Sequence, residues 1–168
     1  DGEDLLQCDR SSMRHYRANE IAVIFQDPMT SLNPFISIGE QLIEPLIYNP
    51  DSDRRKSRED ARARAIKLLD EVGIIDPQSR FDSYPHEFSG GQRQKISLAR
   101  TLYLNPKIII FDESTSSLDR KSEIEFMEVI HSIKKDKVIL FISHNKLLEE
   151  SFDIIYKIDN NQIIQTKS

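Results

Sequence analysis

The chain has 168 residues, of which 38% are hydrophobic and 30% charged, enough for one globular domain with a substantial core. A formal net charge of −5 excludes a general electrostatic pull toward nucleic acid or an anionic membrane surface. The single cysteine, Cys8, excludes a disulfide framework or a cysteine-rich metal site and fits a reducing, intracellular setting.

The elements follow from hydrophobic period and breakers. Ile21–Phe25 (IAVIF) is a continuous, β-branched apolar run ending at the Asp27-Pro28 turn signal, which predicts a buried strand. Ile38–Ile47 predicts a helix whose end Pro45 should disturb. The polar stretch Asn49–Lys56 predicts a surface loop. Ala61, Ala65, Leu68, Leu69 and Val72 then recur at helical spacing, with Gly73 as the stop. Arg54, Arg55, Arg58, Arg62 and Arg64 are interleaved with Glu59, Asp60 and Asp70, so they read as a solvated face and not a nucleic-acid patch.

Ser89 opens a second helix with Ile96, Ala99 and Leu102 on its inner stripe, and Asn105-Pro106 closes it. Ile108–Phe111 (IIIF) predicts another buried strand. Phe126, Val129, Ile130 and Ile133 mark a third helix, and Val138–Ile142 (VILFI) the next strand. Ile154–Ile158 and Gln162–Gln165, separated by Asp159-Asn160-Asn161, predict a closing hairpin. These apolar runs are far too short to cross a bilayer, and no basic, apolar leader opens the sequence. Strands alternating with amphipathic helices predict an α/β fold with a largely parallel sheet, interrupted between about 34 and 104 by a helical lobe.

Four places could carry chemistry, and each also has a plain structural reading. Ser89-Gly90-Gly91-Gln92 has the spacing of a capping box. The same geometry, with two glycines beside a helix N-terminus, makes an anion site. Asp112-Glu113 ends the IIIF strand, where open α/β sheets bind ligands. The Asp there can hold Mg²⁺ and the Glu can polarise a water, although an acidic turn after a strand is common. His144 ends the VILFI strand and Gln26 follows IAVIF; alone, each reads as a structural hydrogen-bonder or turn residue.

Taken in order, these motifs resemble the ABC ATPase family, over essentially the whole chain. Gln26 is similar to its Q-loop, Phe88–Gln92 (FSGGQ) to its signature motif, and Ile108–Asp112 with Glu113 to its Walker B strand and catalytic glutamate. Ser117-Leu118-Asp119 is similar to the D-loop and His144 to the switch histidine. Phe25–Pro34 (FQDPMTSLNP) and Tyr84–Gln92 (YPHEFSGGQ) look like the oligopeptide, dipeptide and nickel importer branch.

The resemblance implies a P-loop NTPase core divided as 1–33, a helical subdomain at 34–104, and the second half of the core at 105–168. It implies that two such domains pair head to tail around ATP and Mg²⁺. Ser89, Gly90, Gly91 and Gln92 would then meet the γ-phosphate held by the partner domain, and Asp119 would link the two sites. Asp112 would serve Mg²⁺ with Gln26 sensing it, Glu113 would be the general base, and His144 would contact the γ-phosphate. Implied partners are membrane-spanning permease subunits, a second ATPase domain and, indirectly, a solute-binding protein, at the cytoplasmic face of the membrane.

Three positions depart from the family pattern. Ser114 replaces a common Pro, Asn145 replaces the Asp that commonly follows the switch histidine, and Asn160-Asn161 stands where a Gly turn is usual. No G-x-x-x-x-G-K-[ST] phosphate loop occurs; its place in the family is before the Asp1–Leu5 segment. The expectation is therefore a partial ATPase that binds ATP weakly or not at all by itself, in a sheet lacking a central strand, whose neighbours expose backbone and apolar faces. A non-transport ATPase of DNA repair or translation, and a binding-only remnant, stay open as alternatives.

Overall fold

The computed structural model describes residues 4–25, 32–48, 56–134, 137–159 and 162–167. Helix α1 (Arg10–Asn19) begins at Asp9, whose carboxylate accepts from the Ser12 N–H at 2.7 Å. It feeds strand β1 (Ile21–Ile24), and the Glu20 carbonyl accepts from Lys107 and Ile108, joining β1 to the strand beside it.

Helices α2 (Ile38–Ile47) and α3 (Arg58–Glu71) follow, capped by Ser37 and Ser57. Pro45 lies inside α2, which runs on to Ile47. A Cβ on Gly39 would fall 2.2 Å from the Phe81 ring, so only glycine lets α2 approach this closely. The buried Gln41 carboxamide accepts from Asn33 N–H and donates to the carbonyls of Asn33 and Ile36, pinning the loop before α2. Helix α3 stops as expected: Gly73 takes φ 76, its N–H reaching Asp70 and the Ile74 N–H reaching Leu69.

After the short helix α4 (Pro77–Arg80) and a 3₁₀ turn at Pro85–Glu87, helix α5 (Gly90–Tyr103) runs through the middle of the molecule. It packs against α2, α3, β1 and the later helix α6 (Arg120–Ile133). The Tyr103 hydroxyl donates to the Ala61 carbonyl at 2.7 Å, tying α5 to α3. Burial pushes the Tyr103 phenol up to about 12. Ile38, Leu42, Ile43, Leu68, Leu69, Phe81 and Leu98 form the dry centre of this helical lobe, continuous with the residues under the sheet.

Strands β1, β2 (Ile108–Asp112) and β3 (Val138–Ile142) make a parallel sheet in that order, as the alternation of strands and helices implies. Phe111 of β2 is fully buried, edge-on to Phe126 of α6 at 5.9 Å and stacked on Phe141 of β3 at 5.2 Å. Strands β4 (Ile155–Asp159) and β5 (Gln162–Lys167) pair antiparallel as a separate hairpin; the Asn160-Asn161 turn lies outside the described residues.

The outer strands depart from the expected burial. Of β1 only Ile24 is buried, while Val23 is half-exposed and Phe25 is 65% exposed, because β1 borders the sheet. On the opposite border, β3 exposes Val138, Leu140 and Ile142, 63%, 49% and 46% accessible. These three alternate along β3 and share one face of the sheet, which is left largely uncovered among the described residues. Among the described residues, no helix is long and apolar enough to cross a membrane.

Candidate functional site

The site is built at the carboxyl ends of β2 and β3. The register pairs Asp112 with Ile142, so the residues just beyond each strand emerge side by side. Glu113 takes the left-handed conformation, φ 49, and its N–H donates to the Ile142 carbonyl at 3.0 Å. Asp76 and Asn105 also have positive φ, but Asp and Asn tolerate it through their short polar side chains. Glu gains no such relief, and strain of this kind, about 1–3 kcal/mol, clusters at functional sites. The kink aims the carboxylate across the strand ends: Glu113 Oε1 lies 3.1 Å from His144 Nε2. Glu113 is 32% exposed and His144 92%, so the pair faces solvent and any incoming ligand.

The second group sits at two helix N-termini. Ser89 caps α5: its hydroxyl accepts from the Gln92 N–H at 3.3 Å while Gln92 Oε1 accepts from the Ser89 N–H at 2.9 Å. The capping box that the spacing implies is therefore formed. The two glycines differ. A Cβ on Gly91 would meet the Ser122 side chain at 2.8 Å, whereas a Cβ on Gly90 would meet nothing within 4 Å. Packing explains Gly91; Gly90 is bare toward solvent.

Asp119 caps α6, accepting from the Ser122 N–H at 3.0 Å and the Ser122 hydroxyl at 2.9 Å. The Ser122 backbone bond, then the hydroxyl, hold the Asp119 carboxyl below its ordinary range. Ser122 thus touches both the Ser89–Gln92 and the Ser117–Asp119 segments. One and a half turns along α5, Lys95 closes the same interface with a 2.9 Å ion pair to Glu125, whose carboxyl that hydrogen bond holds low.

The predicted residues therefore fall into two clusters: Asp112, Glu113 and His144 at the strand ends, and Ser89–Gln92 with Asp119 at the helix starts. Gln26 lies outside the described residues. Ser122 escaped the sequence reading, though its place three residues after a capping Asp was the available signal. As a cation site, the end of β2 offers the Asp112 carboxylate, a hard oxygen donor. Among the described residues there is no group of three or more metal-binding side chains. That donor set fits Mg²⁺, which characteristically takes one or two carboxylates and completes its shell with water and substrate phosphates.

Away from both clusters, a cleft of about 310 Å³ opens between β1, the end of α1, Pro45 of α2 and the last turns of α5, with Ile21, Val23 and Leu104 in its lining.

Comparison with known proteins agrees with this architecture. A family model described as "ABC transporter" matches residues 1–116. The oligopeptide transport ATP-binding protein OppD of Bacillus subtilis is 42% identical over 147 residues, covering 86% of this chain and 40% of that protein. A putative peptide import ATP-binding protein of Brucella melitensis is 41% identical over 144 residues, 84% of this chain and 41% of its own length. The chain thus spans about two-fifths of the curated relatives it matches. In fold, it superimposes with a TM-score of 0.79 on the ATP-binding cassette MJ0796, solved as a dimer with ADP and phosphate, at 24% identity over 96% of this chain and 68% of that one. The parallel sheet and the helical lobe have the fold of an ATP-binding cassette, and the chain belongs to the ABC transporter family.

Proposed function

We propose that the protein carrying this chain is the ATP-hydrolysing subunit of a membrane importer for peptides or a similar small solute. The observation that carries the hydrolytic part is the Glu113–His144 pair at 3.1 Å, held at adjoining strand ends by a strained backbone. The solute class rests on the likeness to proteins named for oligopeptide transport and peptide import.

In this reading Glu113 is the general base that takes a proton from the attacking water. His144, beside it, donates toward the γ-phosphate and offsets charge as the bond to the leaving group breaks. Asp112 would hold Mg²⁺, which would supply charge neutralisation at the phosphates. Gln26 would sense Mg²⁺ and the attacking water and pass that state to the helical lobe. Ser89, Gly90, Gly91 and Gln92 act on ATP held by a second ATPase domain; the bare approach to Gly90 and the α5 dipole support that role. Asp119 lies beside them and links the two sites.

Residues 34–104 act as a helical subdomain between the two core segments, 1–33 and 105–168. Membrane-spanning permease subunits would dock near the helical lobe and hold the protein peripherally at the cytoplasmic face. A solute-binding protein would act one step further out. In the full-length protein, Glu113→Gln should lower ATP turnover about 10²–10⁴-fold without changing the circular-dichroism spectrum. An unchanged rate would overturn the assignment of the base.

A further inference from the structure

The His144 ring is 92% exposed, so side-chain packing does not aim it. Beyond the 3.1 Å contact with Glu113, its placement depends on its backbone, and the next residue, Asn145, is held by a buried carboxylate. We propose that Glu123 is a positioning residue for His144, acting through Asn145. The inference rests on the hydrolytic role assigned to His144 above.

Glu123 lies in the first turn of α6 and is only 6% exposed. A buried carboxylate must have donors for both oxygens. Arg120 Nη1 supplies one at 2.8 Å to Oε2. The other comes from the far side of β3: Asn145 Nδ2 donates to Oε1 at 2.9 Å, across 22 residues of sequence. The other end of the same carboxamide is also committed, since Asn145 Oδ1 accepts from the Leu147 N–H at 3.0 Å and caps the 3₁₀ turn Lys146–Ser151. The Asn145 N–H in turn donates to the Ser143 hydroxyl at 3.0 Å.

His144 is thus flanked by a residue clamped at both ends of its side chain. The Glu123 N–H also donates to the Asp119 carbonyl at 2.9 Å. One helical turn therefore joins the Asp119 segment to the loop that carries His144. The chemistry requires a donor at 145: a carboxylate there would face a buried carboxylate at hydrogen-bond distance and be repelled. Exchanging the two functional groups restores the bond, because the amide at 123 then donates to a carboxylate at 145, which still accepts from Leu147.

The test is a double-mutant cycle in the full-length protein with Glu123→Gln, Asn145→Asp and both together. Asn145→Asp should lower kcat for ATP about 10-fold or more with KM for ATP changed less than about 2-fold, the pattern of a misplaced catalytic group. The double variant should recover to within about 3-fold of the parent, and Glu123→Gln alone, which keeps one acceptor for two donors, should fall between the parent and Asn145→Asp. Without nucleotide, the His144 ring Cε1–H NMR signal should move in Asn145→Asp and return in the double variant. The proposal is overturned if Asn145→Asp leaves both kcat and that signal in place. It is overturned equally if the double variant recovers the melting temperature but neither kcat nor the His144 signal, since the pair would then be only structural. A parent protein that hydrolyses no ATP would sink the proposed function instead, while the NMR signal would still decide the positioning claim.

Discussion

The helical lobe and the β3 border show two opposite ways of placing apolar residues. In the lobe, Ile38, Leu69 and Phe81 have no solvent exposure, and Gly39 has surrendered its Cβ so that α2 can close on Phe81. On β3, Val138, Leu140 and Ile142 have the same chemistry and stand half open to water. The lobe has its packing partners within the described residues; the strand border has a face made for contact and few partners there. The difference teaches that apolar pattern identifies an element, while burial depends on what lies beside it. Half-exposed valine, leucine and isoleucine on a parallel strand are a cost accepted only when another surface covers them.

Substitutions on the two sides should therefore behave differently under denaturant. Phe81→Ala removes a fully buried ring from beneath Gly39 and Arg62, and should cost about 3–5 kcal/mol of unfolding free energy. Gly91→Ala probes the seam between α5 and α6. Its new Cβ would press on Ser122 and should cost about 1–3 kcal/mol, with Ser122→Gly restoring most of the loss. Tyr103→Phe deletes the bond to the Ala61 carbonyl and should cost about 1 kcal/mol, read from the urea midpoint at constant slope. Leu140→Thr on the β3 border should stay within about 0.5 kcal/mol in the 168-residue chain. In the full-length protein the same change should cost markedly more if a further element covers that face. Equal costs for Phe81→Ala and Leu140→Thr in the short chain would break the comparison.

The sequence carried the fold to the extent that local physics determines it. Val138–Ile142 occupies its strand residue for residue, and Gly73 ends α3 because only a left-handed position closes that turn. Ser89 begins its helix through the capping box that its spacing implies. Helix α1 went unseen because Arg10–Asn19 offers little beyond Met13 and Tyr16 as an apolar stripe; Asp9 was its main signal. The site was legible as a set of strand ends and helix starts. What joins its members was not. No periodicity announces that Glu123 will meet Asn145, that Ser122 will fill the space Gly91 leaves, or that Glu113 will adopt φ 49. Those facts arise only when separate elements are brought together. The Asn at 145, a departure from the family pattern, gains a physical reason once a buried carboxylate is found facing it.

Helix α5 also has a mechanical meaning. Its 14 residues make a rod of about 21 Å at 1.5 Å per residue. One end is moored to α3 by Tyr103, and the other carries Ser89 and Gly90 at its tip. A rod of that length tilted by about 5° about its moored end sweeps its tip through roughly 2 Å. That is the difference between a hydrogen bond made and one lost. If that tip meets a phosphate as proposed, a slight tilt of α5 decides between contact and no contact.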